Sequence, residues 1–346
     1  MKKIKVAING LGRIGRTFFK IAHPRDEVEI VAVNDLGDIE NLAYLLKYDT
    51  AYGRSGLDID VKKEAGKEYL RVDGHDILFL QQKDPSLLPW GDLDIDIVVE
   101  STGFFSEYGK AKAHLDAGAK RVVLSAPVKG EPVEGIAGGT VLVGVNEEKL
   151  KGYQISSNAS CTTNAAGSLI KILDETVGIE KALLNTAHGY TATQALVDSP
   201  SKRDFRRGRA AAQNIIPATT GAAIAVTKAI PELEGRFDGI ALRVPLITGS
   251  IADITFIAKR DTTAEEVNEI LKKAAKEGRW KKVFSVTEEP IVSSDIIGSP
   301  YAAIADLSFT RVVGGNLVKV LSWYDNETGY SNAMLEHVIT SGRFLN

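Results

Sequence analysis

Cysteine is nearly absent from this chain: Cys161 is the only one in 346 residues. A lone cysteine excludes an intrachain disulfide framework and any thiolate-cage zinc or iron–sulfur site built by one copy. Neither sign of charge is in excess, with 42 Lys and Arg against 45 Asp and Glu and a formal net charge of −3. That balance excludes a polycation made to coat nucleic acid or an anionic membrane as the main role. No apolar run approaches the ~20 residues that a membrane helix needs. Met1-Lys2-Lys3 leads straight into a strand-like apolar segment at 4–8, which leaves no room for a signal peptide, so a cytoplasmic protein is expected. Repeats and low-complexity segments are also lacking. Hydrophobic residues make up 44% of the chain, enough for a real core. At roughly 100–200 residues per domain the length implies two domains.

The first part of the chain alternates short apolar runs with helical patterns. Residues 4–8, 28–33, 95–99, 121–124 and 140–143 read as strands, and 13–22 and 110–117 as helices. This βαβ rhythm predicts an α/β, doubly wound parallel sheet. Near Asn158 the pattern changes. A helix-like stretch at 164–176 precedes strands with alternating faces at 251–258 and 317–322, as expected of an α+β domain with a mixed or antiparallel sheet. Apolar Met334, Leu335, Val338 and Ile339 then recur at helical spacing within 329–341.

Asn9-Gly10-Leu11-Gly12-Arg13-Ile14-Gly15 follows the first strand and opens a helix, so Gly10, Gly12 and Gly15 occupy GxGxxG positions. The first glycine permits a tight turn, the second lets a pyrophosphate approach the backbone, and the third lets the helix pack on its strand. The helix start then offers free amide N–H groups and the positive end of a dipole. A glycine-rich turn can also form without a ligand. Here, however, the second strand ends at Asn34-Asp35, and Asp35 lies where an acid can hydrogen-bond an adenosine ribose diol. A carboxylate there repels a 2′-phosphate, and no arginine adjoins it, so the segment reads as a Rossmann site for NAD over NADP.

Cys161 lies in Ser157-Asn158-Ala159-Ser160-Cys161-Thr162-Thr163-Asn164, just before the helical pattern. At a helix start, unpaired amides and the dipole stabilise a thiolate, which suits a nucleophile. A small buried hydrophobe is the alternative reading. His188, in the hydroxyl-rich stretch Asn185-Thr186-Ala187-His188-Gly189-Tyr190-Thr191, is either a base for the thiol or a structural histidine satisfied by backbone. Candidate anion donors are Thr191, Thr193, Thr220, Gly221 and Arg243, the last flanked by apolar residues where a charge must be paired or functional. The cluster Arg206-Arg207-Gly208-Arg209 reads mostly as solvated or subunit-facing surface. No metal site is implied.

These segments, with Glu100-Ser101-Thr102-Gly103, Thr220-Gly221-Ala222-Ala223, Arg243-Val244-Pro245 and the stretch Ser322-Trp323-Tyr324-Asp325-Asn326-Glu327-Thr328-Gly329-Tyr330, resemble the phosphorylating glyceraldehyde-3-phosphate dehydrogenases, in register from end to end. The resemblance implies oxidation of D-glyceraldehyde 3-phosphate to 1,3-bisphosphoglycerate with NAD and inorganic phosphate in glycolysis or gluconeogenesis, by a homotetramer. It implies an NAD domain at 1–160 completed by a C-terminal helix at 327–346, and a catalytic and oligomerisation domain at 161–326. Cys161 would form a hemithioacetal and then a thioester, with His188 as base and as the partner that lowers the thiol pKa. Thr191 and Arg243 would hold the substrate C3 phosphate, and Ser160, Thr162, Thr220 and Gly221 would line the site of the attacking phosphate. Gly10, Gly12, Arg13, Ile14, Gly15, Asp35, Thr102, Ser125 and Asn326 would contact the cofactor. Leu36 and Pro200 match the NAD-using members.

Three departures stand out. Ala192 replaces an asparagine common in bacterial members. Leu246-Ile247-Thr248-Gly249-Ser250 replaces a more familiar Thr-Pro-Asn-Val-Ser, and Lys202-Arg203-Asp204 is one residue longer than in many relatives. The last two are expected to affect subunit packing. Alternatives to the triose reaction are an erythrose-4-phosphate dehydrogenase, whose relatives typically break the Thr-Gly-Ala-Ala stretch that is intact here, and a non-catalytic NAD-binding protein.

Overall fold

The computed structural model describes residues 2–202 and 204–345. Met1, Arg203 and Asn346 lie outside the described residues, and with them the first residue of the amino-terminal segment, the centre of the Lys202-Arg203-Asp204 departure and the last residue of the expected 327–346 helix. The chain divides into two compact units. One takes in the chain up to Val141, Glu147–Ala159 and the residues from Met334 onward; the other holds Leu142–Asn146 and Ser160–Ala333.

The first unit is built on a nine-stranded sheet. Its spatial order is Gly138–Thr140, Ile155–Ser157, Arg121–Leu124, Ile97–Glu100, Ile4–Asn9, Val28–Asn34, His75–Leu80, Lys67–Val72 and Ile59–Glu64. The pairs from the first of these through His75–Leu80 are parallel. Strands covered on both faces should be continuously apolar, and Ile97–Glu100 and Arg121–Leu124 are buried at every residue. The parallel α/β expectation is met. The antiparallel edge formed by the last three strands was not part of the sequence reading. Its two hairpins turn at Ala65-Gly66 and Asp73-Gly74, where all four residues have positive φ between 49° and 81°. Two consecutive left-handed residues are what a two-residue hairpin with the natural strand twist requires.

The strand expected at 140–143 instead spans Gly138–Thr140. Its partner ladder ends at Ser157, opposite Thr140. Beyond that, Leu142 N donates to Asn146 Oδ1 at 2.9 Å and Gly144 turns the chain with φ +80°. The helix expected at 110–117 runs Tyr108–Asp116, that at 164–176 runs Cys161–Asp174, and that at 329–341 runs Thr328–Arg343.

The second unit holds a seven-stranded mixed sheet, in the order Ile216–Thr219, Phe237–Val244, Ile179–Gly189, Ser250–Ala258, Leu317–Tyr324, Ala303–Val313 and Phe284–Thr287. Ser250–Ala258 alternates strictly between buried and half-buried residues, as one covered face dictates. The helices Cys161–Asp174 and Ala264–Lys276 pack on this sheet. Among the described residues no helix is long and apolar enough to cross a membrane.

The first parallel crossover depends on Gly15. A Cβ there would lie 2.0 Å from the Gly10 carbonyl oxygen, whereas one at Gly12 would meet nothing within 4 Å. Gly15→Ala should therefore cost about 3 kcal/mol through forced displacement of the turn, and Gly12→Ala close to nothing. Thermal melts of the two variants check this, and equal melting temperatures would contradict it.

Candidate active site

In the first unit, three strand ends meet at one edge of the sheet. Ile4–Asn9 lies between Ile97–Glu100 and Val28–Asn34, so the strand order reverses beside it, the place where ligands bind open parallel sheets. A cleft of about 440 Å³ opens there, lined by Gly10, Gly12, Asp35, Leu36, Thr102 and Phe104 among others. Gly10 has φ +97°, and a Cβ on it would come within 2.7 Å of Thr102 N. Gly12 caps the helix Arg13–Ala22 without a side-chain hydrogen bond, so no capping side chain covers the positive end of that helix. Asp35 accepts from Leu11 N at 2.6 Å and from Gly37 N at 2.8 Å, which locks its carboxylate on the cleft wall. A dinucleotide fits this set: an uncapped helix start for a pyrophosphate and a fixed carboxylate for a ribose diol.

The remaining predicted contacts of this unit lie on the same segments. Arg13 and Ile14 begin the helix, and Arg13 Nη1 pairs with the buried Asp49 at 2.8 Å. Ser125 follows the strand Arg121–Leu124, its N–H bonded to Glu100 O at 2.9 Å. The last predicted contact, Asn326, belongs to the second unit.

In the second unit, Ser160 ends an extended segment and caps the helix Cys161–Asp174. Its Oγ accepts from Thr163 N at 3.1 Å, and its carbonyl accepts from Asn164 N and Nδ2. Ala159 just before it sits at φ +54°, a conformation costly for a residue with a Cβ. Cys161 is thereby the first residue of the helix. Its Sγ lies 3.3 Å from His188 Nε2. His188 sits near the end of Ile179–Gly189 and pairs in parallel register with Arg243 of Phe237–Val244, which brings the guanidinium alongside the imidazole. Arg243 Nη1 is 2.7 Å from His188 Nδ1 and 3.2 Å from Gly189 O. Among the described residues no carboxylate pairs with Arg243, and its Nε is buried without a partner.

Behind this group stands Tyr324, which sequence reasoning passed over although it lies in the Ser322–Tyr330 stretch. Thr186 donates to Ile251 O, so the Tyr324 hydroxyl donates to Thr186 Oγ1 at 2.8 Å and accepts from Thr162 Oγ1 at 2.9 Å. Its ring meets that of His188 edge-on, with centroids 5.9 Å apart. Thr191 Oγ1 contacts Thr193 Oγ1 at 2.9 Å, and Thr193 accepts from Arg207 Nη1 at 3.2 Å. Arg207 is close enough to Arg243 for their like charges to oppose each other. One member of the arginine cluster thus lies beside a predicted anion donor, while Arg206 and Arg209 are exposed, in keeping with a surface role for most of the cluster. Thr220 Oγ1 accepts from Ala222 N at 3.1 Å, and Gly221 begins the helix Ala222–Ala229 without a side-chain cap.

Asn326 Oδ1 accepts from Thr248 Oγ1, Gly249 N and Ser250 Oγ at 3.1–3.3 Å. The segment expected to matter for subunit packing thus also fixes the orientation of this amide, leaving Nδ2 to donate.

The electrostatics correct one expectation. Helix and imidazole were expected to make the Cys161 thiol acidic. Burial, which sequence position does not reveal, pushes its pKa up and outweighs the lowering by Arg243 and the helix-start hydrogen bonds. Burial, reinforced by the Arg243 cation, also drives His188 down to about 3. Each group on its own is held in its neutral form.

The chain matches two family models: that of the glyceraldehyde 3-phosphate dehydrogenase NAD binding domain over residues 4–108, and that of the glyceraldehyde 3-phosphate dehydrogenase C-terminal domain over residues 160–326. It is 47% identical over 345 residues to glyceraldehyde-3-phosphate dehydrogenase 1 of Streptomyces avermitilis, covering 99% of each chain. It is 46% identical to the glyceraldehyde-3-phosphate dehydrogenase of Mycobacterium avium, again with 99% of each chain covered. To that of Geobacillus stearothermophilus it is 46% identical, with 96% of each covered.

If the imidazole accepts the thiol proton, His188→Asn should move the pH profile of Cys161 alkylation by iodoacetamide upward by at least about one unit, since the thiolate loses its imidazolium partner and only Arg243 and the helix-start hydrogen bonds still oppose burial. An unmoved profile would remove His188 from the role of base.

Proposed function

The chain belongs to the glyceraldehyde 3-phosphate dehydrogenase family, and from that premise we propose which of its residues perform the chemistry. The protein is an NAD-dependent oxidoreductase that carries out the phosphorylating oxidation of D-glyceraldehyde 3-phosphate. One observation carries the residue assignment: a thiol and an imidazole 3.3 Å apart, beside a half-buried guanidinium with no carboxylate partner.

Proton transfer from Cys161 to His188 would place opposite charges 3.3 Å apart. Their attraction is about 5 kcal/mol at an effective dielectric of about 20. The lowering of His188 to about 3 and the raising of the Cys161 thiol by burial both oppose the transfer. Against that opposition, the neighbouring charge decides. Nδ1 has two competing partners: Gly189 O at 2.6 Å, which needs an N–H, and Arg243 Nη1 at 2.7 Å, which needs a lone pair. Drawing Arg243 onto the C3 phosphate of the substrate, which Thr191 also holds, frees Nδ1 to keep its proton for Gly189 O. Nε2 then bears the lone pair and takes the thiol proton.

The thiolate attacks the aldehyde carbon, forming the S–C bond, and the imidazolium returns its proton to the oxygen, giving a hemithioacetal. In the oxidation that follows, His188 Nε2 removes that hydroxyl proton as the C=O bond reforms, leaving a thioester on Cys161. NAD, when bound, supplies the two-electron acceptor for this step. Gly10, Gly12, Arg13, Ile14, Gly15, Asp35, Thr102 and Ser125 would hold it, with Asn326 Nδ2 donating to its carboxamide. Inorganic phosphate, received by Ser160, Thr162, Thr220 and Gly221, then displaces Cys161 to give the acyl phosphate.

A homotetramer in the cytoplasm completes the reading. Leu183, Ile240 and Leu317 are exposed on one face of the second sheet, with Ile251, Ile257 and Leu321 half-buried on the same face. Exposed aliphatic side chains on a sheet face, interspersed here with polar groups such as the Asp253–Lys319 ion pair, support association with further copies.

Two measurements test the assignment. Absorbance at 340 nm with NAD and phosphate should show turnover of the triose phosphate well above that of erythrose 4-phosphate, and Cys161→Ser should abolish it while NAD binding stays near wild type. Residual turnover within tenfold of wild type in that variant would rule out the sulfur as nucleophile. Asp35→Ser should weaken NAD and raise the relative use of NADP. An unchanged cofactor ratio would leave the ribose contact without support.

A further inference from the structure

We propose that Glu100, held beneath the cofactor cleft by a tautomer-locked His114, is the positioning residue that sets the cleft's shape for NAD. The proposal rests on the cofactor reading of that cleft. Glu100 is 3% exposed, and His114 and Trp90 are fully buried. Trp90 Nε1 lies 3.0 Å from His114 Nδ1. An indole N–H can only donate, so Nδ1 must carry the lone pair and Nε2 the proton. His114 Nε2–H then points at Glu100 Oε2, 3.1 Å away. The ring is thus fixed between two partners, with Nδ1 taken by Trp90 and Nε2 by Glu100.

Four donors converge on the two oxygens. Oε2 accepts from His114 and from Asn9 Nδ2 at 2.5 Å, and Oε1 accepts from Thr102 N at 2.8 Å and from Thr102 Oγ1. The Asn9 amide passes the order onward: its Oδ1 accepts from Asn34 Nδ2 at 2.7 Å, and Asn34 bonds Gln82 O and Gln82 N at 2.9 and 2.8 Å. Asn9, Asn34, Gln82 and Thr102 all line the cleft. One carboxylate thus ties together four residues of the wall, directly or through Asn9, and an amide could not hold both ends. A glutamine accepts at one end only, so either orientation sets its NH₂ against Thr102 N–H or against His114 and Asn9.

The test compares NAD dissociation constants and melting temperatures of the full chain. Glu100→Gln should weaken NAD at least tenfold. His114→Leu, which strips one donor from the carboxylate, should weaken it about threefold or more. His114→Gln can accept from Trp90 and donate to Glu100, and should stay within twofold of wild type. A merely structural role would lower melting temperatures in Glu100→Gln and His114→Leu while leaving the NAD affinity of the folded protein unchanged, and that result overturns the proposal. If Glu100→Gln does not fold, equal affinities in the two His114 variants overturn it alone. Loss of NAD binding by the wild type would instead count against the cofactor reading of the cleft.

Discussion

The reactive centre depends on a half-buried cation that the protein leaves without a carboxylate partner. Burying a guanidinium without a carboxylate is unfavourable, and a fold optimised for stability alone would supply the partner or replace the arginine. Here Arg243 rests against the His188 ring, where its field adds to burial in holding the imidazole neutral. On the proposed assignment an arriving anion would relieve that cost, so that binding of a phosphorylated substrate and activation of the thiol would become one event. Strain at Ala159, the Ser160 cap and the first-turn position of Cys161 serve the same end by aiming the sulfur into this field.

Much of this was legible in the sequence because local patterns carry local physics. The GxGxxG turn, the acid after the second strand and the cysteine before an apolar helical run each define a short-range geometry, and each appears where it was read. Distances between segments were not legible. That His188 faces Arg243 follows from parallel pairing of strands more than 50 residues apart, and Tyr324 reaches Thr186 through two further antiparallel pairings. The run Arg206-Arg207-Gly208-Arg209 reads mostly as surface because a run of arginines usually is solvated, and nothing local shows that Thr193 is a neighbour of Arg207. The antiparallel edge of the first sheet was missed for another reason: its hairpins turn on Ala-Gly and Asp-Gly pairs inside charged, weakly apolar strands that lack the signature of a buried sheet.

Burial is the other quantity that a sequence conceals, and it changed the electrostatic account of the thiol. A helix start and a nearby imidazole both favour thiolate, and counted alone they predict an acidic cysteine. Desolvation acts on thiolate and imidazolium together and exceeds those contributions. What the position supplies is a thiol in contact with an imidazole, a pair whose proton a change in neighbouring charge can move.

The two functional regions solve opposite problems with buried charge. Glu100 in the first unit is an anion with four donors around it, and every one of its oxygens is satisfied without a ligand. Arg243 in the second is a cation with an orphaned Nε and a contested Nη1. A saturated buried ion gains nothing from a ligand and so can act only by holding its neighbours in place. An unsaturated one is relieved by a ligand of opposite charge and so can act as a receptor. The state of saturation, more than charge or burial alone, separates the group that shapes a site from the group that waits for substrate.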